Sequence, residues 1–153
     1  MALGAWAVID IETTGVNPSS DEMIDIGFLQ FEGTRLIRSY TSLIRPEHTV
    51  SAFITKLTGI TNQQLQKAPV WSVVESELLT LESHQLLAHN ASFEESFLKR
   101  YFDKVASINN RESYHDSLYY LALLCPQSAS LNLEHFINYF GIGEREEHRG
   151  LAD

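Results

Sequence analysis

Asp10 and Glu12 are two acids separated by one isoleucine at the end of an apolar run, Ala5 to Ile9. Thr13-Thr14-Gly15 follows, and that is turn chemistry. In an extended strand side chains repeat every two residues, so the two carboxylates share a face. Adjacent carboxylates at the end of a buried strand repel each other and resist the loss of water. A divalent cation between them relieves both problems. The residues by themselves leave two readings open: a metal pair, or a strand end whose acids face solvent.

Two further groups carry side chains of the same kind. Glu94, in Ala88-His89-Asn90-Ala91-Ser92-Phe93-Glu94, falls in the first turn of a helix expected after Asn90. A carboxylate there favours the macrodipole. It also precedes Phe97 and Leu98 by three and four residues, which places it on the core-facing side. An acid on that side, beside the carboxyl end of a strand, points into the crevice where α/β folds place their sites. Glu94 therefore reads as a dipole-stabilising acid or as a site acid. Asn90 reads as a helix cap, and His89 as a hydrogen-bonded structural histidine. The last group is His148-Arg149-Gly150-Leu151-Ala152-Asp153. Five residues on a helix differ by about 140° around its axis, so His148 and Asp153 converge only if His148 lies on a loop and the helix begins near Gly150. Histidine can serve as a general base near neutral pH, and Asp as a metal ligand. The other reading is a charged tail from Glu144 onward that solvates a terminus.

The elements that must position these groups follow from the patterning. Residues 5–12, 23–31 and 35–44 read as three strands, the last two joined by the tight turn Glu32-Gly33-Thr34, in an antiparallel meander. Residues 51–57 form a short helix candidate stopped near Gly59, and Thr61 caps a second one through Gln66. Pro69 suits the first position of a longer helix over 69–83, with an apolar stripe of Val70, Val73, Val74, Leu78 and Leu81. Residues 84–88 read as a buried strand, with Asn90 capping a helix from Ala91 to Tyr101. A weak strand is expected at Val105–Ile108. Asp116 opens a helix that ends near Pro126, and residues 131–140 form another that Gly141 stops. The order predicts an α/β fold: a mixed five-stranded sheet, three antiparallel strands first and two parallel strands after, with helices on both faces.

A chain of 153 residues with 44% hydrophobic and 20% charged content suits one domain with a full core. The single cysteine, Cys125, allows no internal disulfide, which predicts a reducing, cytoplasmic setting. The start of the chain has no basic segment ahead of its apolar residues and does not read as a signal peptide, and no apolar run approaches membrane-spanning length. The net charge is −9, from 11 Lys and Arg against 20 Asp and Glu. That argues against strong non-specific binding of nucleic acid through phosphate neutralisation. A nucleic-acid ligand would have to be held by metal ions, by a few local cations, or with help from a partner or an attached domain.

Taken together, Asp10-x-Glu12, His89-Asn90-Ala91-x-Phe93-Glu94 and His148-x-x-x-x-Asp153 resemble the DnaQ-like (DEDDh) 3′→5′ exonucleases in order and spacing. Connecting segments are similar too: Ile24-Asp25-Ile26-Gly27, Ile54 to Thr61, and Asp116 at the head of its helix. The resemblance, to the exonuclease domain of the polymerase III epsilon subunit among others, covers nearly the whole chain. It implies a ribonuclease H-like fold and a single exonuclease domain over 1–153, either cut short at its last helix or forming the N-terminal part of a longer protein. It implies that Asp10, Glu12, Glu94 and Asp153 hold two Mg²⁺ or Mn²⁺ ions roughly 3.5–4 Å apart, with His148 as general base. Thr13, Thr14, Leu57, His89, Asn90 and Phe93 would contact the terminal nucleotide, Phe93 also serving the core. The implied substrate is the 3′ end of single-stranded DNA, in replication proofreading or repair, with a polymerase or an attached C-terminal domain as partner and no membrane. Trimming of RNA 3′ ends is the alternative within the class, and a catalytically impaired binding module the alternative outside it. One departure stands out: the family usually carries Asp where this chain has Glu94, one methylene longer.

Overall fold

The computed structural model describes residues 4–101 and 114–142. Three consecutive strands form first: β1 (Ala5–Thr13), β2 (Met23–Glu32) and β3 (Arg35–Leu43). Helices α1 (Ala52–Thr58), α2 (Asn62–Leu65) and α3 (Trp71–Leu78) follow, the last running into a 3₁₀ turn over Leu79–Leu81. Strand β4 (Gln85–Ala88), helix α4 (Ser92–Tyr101), strand β5 (Tyr114–Asp116) and helices α5 (Ser117–Leu124) and α6 (Leu133–Phe140) complete the described elements. The sheet order is β3-β2-β1-β4-β5. The β1–β2 and β2–β3 pairs are antiparallel, whereas β1–β4 and β4–β5 are parallel. This is the mixed sheet the patterning predicts.

Strand β1 is central because it can be buried on one face and polar on the other. Ala7, Ile9, Ile11 and Thr13 are buried, while Val8, Asp10 and Glu12 are only partly so. The buried side joins Phe28, Ile26 and Leu86 from neighbouring strands to Val74, Leu78 and Leu81 of the α3 region and Phe97 and Leu98 of α4. A second cluster, Ile24, Val50, Ile54, Ile60 and Leu65, seats α1 and α2. The register between β1 and β2 shifts after Glu12, so that Glu12 pairs Asp25 but Thr13 pairs Met23. The extra residue, Ile24, is the one around which α1 and α2 pack, and every residue of β2 from Met23 to Phe28 is buried. A bulge re-aims a side chain in this way.

Several boundaries differ from the sequence reading. Helix α3 begins at Trp71 rather than Pro69, because Val70 is extended (φ −76°, ψ 159°) and the Pro69 carbonyl accepts the Arg45 N–H at 2.9 Å. Val70 and Val73 consequently lie outside the buried stripe, at 41% and 57% exposure, while Val74, Leu78 and Leu81 fill the core. Asn132, rather than Leu131, opens the last helix, its side chain accepting the His135 N–H at 2.8 Å. The fifth described strand is Tyr114–Asp116, and the strand expected at Val105–Ile108 lies outside the described residues. Thr61 and Asp116 cap their helices as expected, and Ser51, expected as the first residue of its helix, is instead its cap.

Phe28 is fully buried beside β1 and stacks on Tyr40 of β3 at 5.0 Å. Phe28→Ala should therefore cost about 3–5 kcal/mol and lower the melting temperature by on the order of 10 °C. Thermal denaturation followed by circular dichroism measures this, and an unchanged melting point would show that this ring does not anchor the sheet.

Candidate active site

The parallel arrangement of β1, β4 and β5 sends their carboxyl ends to the same edge of the sheet. Asp10 and Glu12 lie at that end of β1. Val8 is level with Leu87, and β4 ends one residue later, at Ala88. Ala88 in turn is level with Asp116, the last residue of β5. The His89-Asn90 turn and the Asp116-Ser117 junction therefore emerge beside the first two acids.

Asp10 and Glu12 share the partly buried face of β1, as the strand period requires. Across β2, Asp10 faces Gly27, which has no side chain to fill the space, and Glu12 faces Asp25. Asp25 is 3% exposed, and its Oδ1 accepts the Ile26 N–H at 2.9 Å. Sequence reasoning noted Asp25 only as part of a matching segment. Its place opposite Glu12 follows from the strand register, which the spacing of the two strands does not state.

The third acid comes from α4. Glu94 is buried, at 4% exposure, in line with its position before Phe97 and Leu98. Its Oε2 has no hydrogen-bond partner among the described residues. Burial pushes its carboxyl up from near 4.5 to about 8, and Asp10, Asp116 and Glu12 add to the shift by charge repulsion, against a smaller opposing effect of a backbone hydrogen bond. Glu94 and Glu95 both lie in the first turn of α4, where a carboxylate favours the macrodipole, but only Glu95 has an ion pair, to Lys99 at 2.6 Å. Three acids named from the sequence thus converge electrostatically. Among the described residues no three His, Cys, Asp or Glu side chains come together closely enough to hold a metal ion. His148 and Asp153, the other two expected site residues, lie outside the described residues.

The donor set nevertheless suits a hard divalent cation. It consists of carboxylate oxygens, and one of them is buried without a proton donor to satisfy it. A cation near Glu94 would reverse the burial and repulsion that hold its carboxyl protonated.

The residues expected to hold a nucleotide divide into two groups. Thr13 and Thr14 build the turn that leaves β1. The Thr13 hydroxyl donates to the Gly15 carbonyl at 2.5 Å, and Thr14 exchanges bonds with the Glu22 backbone, its N–H donating at 2.8 Å and its hydroxyl accepting at 2.9 Å. A Cβ at Gly15 would lie 2.5 Å from Asp21 Oδ2, so glycine is needed there for close approach. Arg100 of α4 secures the far side of this loop by donating to the carbonyls of Pro18 and Asp21. Leu57 is 47% exposed on α1, one residue before buried Thr58, and Gly59 ends that helix with φ 72°. Phe93, by contrast, is partly buried against the core and packs on Phe97 at 5.0 Å.

Asn90 does not form the expected cap, whereas His89 is hydrogen-bonded as a structural histidine is expected to be. Asn90 is not the cap of α4: its φ is 65°, in the left-handed region, and its Oδ1 accepts from the Ser92 hydroxyl rather than from a helix N–H. Asparagine tolerates that conformation better than most residues. His89 Nδ1 lies 2.8 Å from Ser117 Oγ. A cleft of about 710 Å³ adjoins this turn, lined by Asn90, Ala91, Ser92, Tyr114, Asp116 and Leu118 among others, but none of the three acids faces it.

The model of the RNase_T exonuclease family matches residues 7–153. The chain is 34% identical over 149 residues to a PolC-type DNA polymerase III of Thermotoga maritima, covering 97% of this chain and 11% of that protein. It is 31% identical over 155 residues to the 3′-5′ exonuclease DinG of Staphylococcus aureus, covering all of this chain and 17% of that protein. The chain thus spans less than a fifth of the length of these relatives. Among solved structures, the zinc-ion-bound form of an E. coli exonuclease I–ssDNA complex shares the fold, with a TM-score of 0.81 over 99% of this chain and 38% of that one at 18% identity. The mixed five-stranded sheet and a family match across almost the full length agree, and the chain belongs to the RNase_T exonuclease family, the DnaQ-like 3′-5′ exonucleases.

Proposed function

We propose that this chain removes nucleotides one at a time from the 3′ end of single-stranded DNA, as the exonuclease part of a DNA-replication or repair protein. The observation that carries the reading is Glu94: a buried carboxylate with an unpartnered oxygen, crowded by Asp10 and Glu12 at the edge where the parallel strands end. The preference for DNA rests on the relatives, one a PolC-type polymerase, and on the single-stranded DNA in the similar structure. Asp10, Glu12, Glu94 and Asp153 hold two divalent ions, Mg²⁺ or Mn²⁺, in this reading.

Bound ions would supply positive charge to the scissile phosphate and to the departing oxygen. The residues do the rest. His148 takes the proton of the attacking water. The water oxygen bonds to phosphorus as the bond to the 3′ oxygen of the preceding nucleotide breaks, which releases a nucleoside 5′-monophosphate. Thr13 and Thr14 present backbone from a rigid turn to the terminal nucleotide, and exposed Leu57 offers it an apolar contact. With a net charge of −9, the chain gains little from non-specific attraction to phosphates. Grip on the strand then comes from the ions and from a polymerase or an attached C-terminal domain. The single cysteine fits a cytoplasmic setting.

Cleavage of 3′-labelled single-stranded DNA and RNA, with Mg²⁺, with Mn²⁺ and with EDTA, tests this directly. DNA should be degraded with either ion and spared with EDTA. Asp10→Ala should lower the rate at least about 10³-fold, with an unchanged circular dichroism spectrum. His148→Ala should slow cleavage without weakening Mn²⁺ binding. Activity that survives EDTA would refute the ion-dependent mechanism, faster loss of RNA would point to an exoribonuclease, and no cleavage with either ion would point to a binding module.

The Glu94 carboxyl adds a pH test. Its pKa is higher in the folded than in the unfolded chain, so its contribution to stability is complete below about 4.5 and is lost as pH rises toward 8. In EDTA, stability should fall through this window by up to about 1.4 kcal/mol per pH unit from this group. Glu94→Gln, which cannot ionise, should flatten that part of the stability–pH curve. Parallel curves for the two proteins would show that Glu94 is already ionised in the metal-free fold.

A further inference from the structure

Glu94 reaches the site from a helix whose entry turn is held by residues outside that helix. Within the turn, the Asn90 carbonyl accepts the Phe93 N–H at 2.9 Å, and the Ser92 hydroxyl donates to Asn90 Oδ1 at 3.2 Å. Neither bond fixes the turn to the sheet. The link comes from the junction of β5 and α5. Asp116 Oδ1 accepts the Asn90 N–H at 3.0 Å and the Leu118 N–H at 2.9 Å, and Ser117 Oγ meets His89 Nδ1 at 2.8 Å. Two consecutive residues of one junction thus grip two consecutive residues of the neighbouring turn, just beyond the Ala88–Asp116 step of the parallel ladder.

Capping α5 does not explain an aspartate here. Serine and asparagine cap helices about as well as aspartate and carry no charge. A further negative charge beside Asp10, Glu12 and Glu94 is costly, and Asp116 is one of the charges acting on Glu94. What the carboxylate adds is reach and strength: a single oxygen takes two backbone N–H groups in charge-assisted bonds, one from its own helix and one from the turn. The left-handed Asn90 needs such support, since a non-glycine residue in that region costs of order 1–3 kcal/mol.

We propose that Asp116 is a positioning residue of the exonuclease site: by clamping the Asn90 N–H it fixes the β4–α4 turn and hence the point from which Glu94 enters. The inference rests on the reading of Glu94 as one of the ion-holding acids. Asp116 touches neither substrate nor the reacting atoms in this scheme.

Three variants of the full chain separate positioning from capping. Asp116→Ser keeps an α5 cap but is too short to span to Asn90 as well. Asp116→Asn keeps an acceptor oxygen at the same reach. Glu94→Ala reports on the underlying site. Mn²⁺ affinity is measured by calorimetry without nucleic acid, kcat and KM on 3′-labelled single-stranded DNA, and Tm by thermal denaturation. Asp116→Ser should weaken Mn²⁺ binding and lower kcat by about 10–100-fold, the usual effect of losing a residue that orients a ligand. Its KM should stay within about twofold and its Tm near that of the parent. Asp116→Asn, which keeps the reach without the charge, should recover part of both losses. The proposal is overturned if Asp116→Ser binds Mn²⁺ and turns over like the parent while Glu94→Ala is inactive, or if Asp116→Asn is as impaired as Asp116→Ser. If Glu94→Ala itself binds Mn²⁺ and cleaves normally, the reading of the site fails and the proposal with it.

Discussion

A carboxylate oxygen that is buried, unpaired and next to other acids is among the least favourable groups a fold can hold. Glu94 is in that position, and its neighbours Asp10, Glu12 and Asp116 make it worse. The free protein tolerates it by keeping the carboxyl protonated near neutral pH. In the proposed function, the arrangement gathers negative charge at one place for a cationic ligand. Everything else in the fold can be seen as holding these groups where they would not go by themselves.

The hydrophobic core supplies the force. Ile9 and Ile11 alternate with the acids on β1 and bury on the opposite face, so the same strand that anchors the core presents Asp10 and Glu12. Phe97 and Leu98 do the equivalent for α4: they pack against the sheet, and Glu94, one turn earlier on that side, is carried inward. Displacing either acid therefore means breaking buried apolar contacts, each side chain being worth about 1.5–3 kcal/mol. The loop after β1 is fixed by different means. Its bonds are polar, from Thr13, Thr14 and Glu22 within it and from Arg100 across to α4, so the first and third acids are tied together through a second path.

The acidity of the chain is consistent with this design. A protein that held its substrate by general attraction to phosphate would need a basic face. Here 20 acidic residues stand against 11 basic ones, and in the proposed function recognition falls to ions at a single place and to contacts with the terminal nucleotide. The relatives of this chain carry it as a small part of much longer proteins.

Much of this was legible in the order of residues. Strand period two put Asp10 and Glu12 on one face, helix period placed Glu94 with Phe97 and Leu98, and Thr61 and Asp116 announced their helices, because each depends only on neighbours a few residues away. The structure decided what depends on distant partners. Pro69 and Val70 stay out of α3 because Arg45, 24 residues earlier, holds the backbone extended. Asn90 reads as a cap from its neighbours, yet Asp116 on the next strand draws its N–H into a left-handed turn. The bulge at Ile24 appears only when β2 is paired with β1, and with it the place of Asp25 opposite Glu12. Local patterning determined which side chains could do the chemistry. Strand pairing and packing, which join residues far apart in the chain, determined which of them meet.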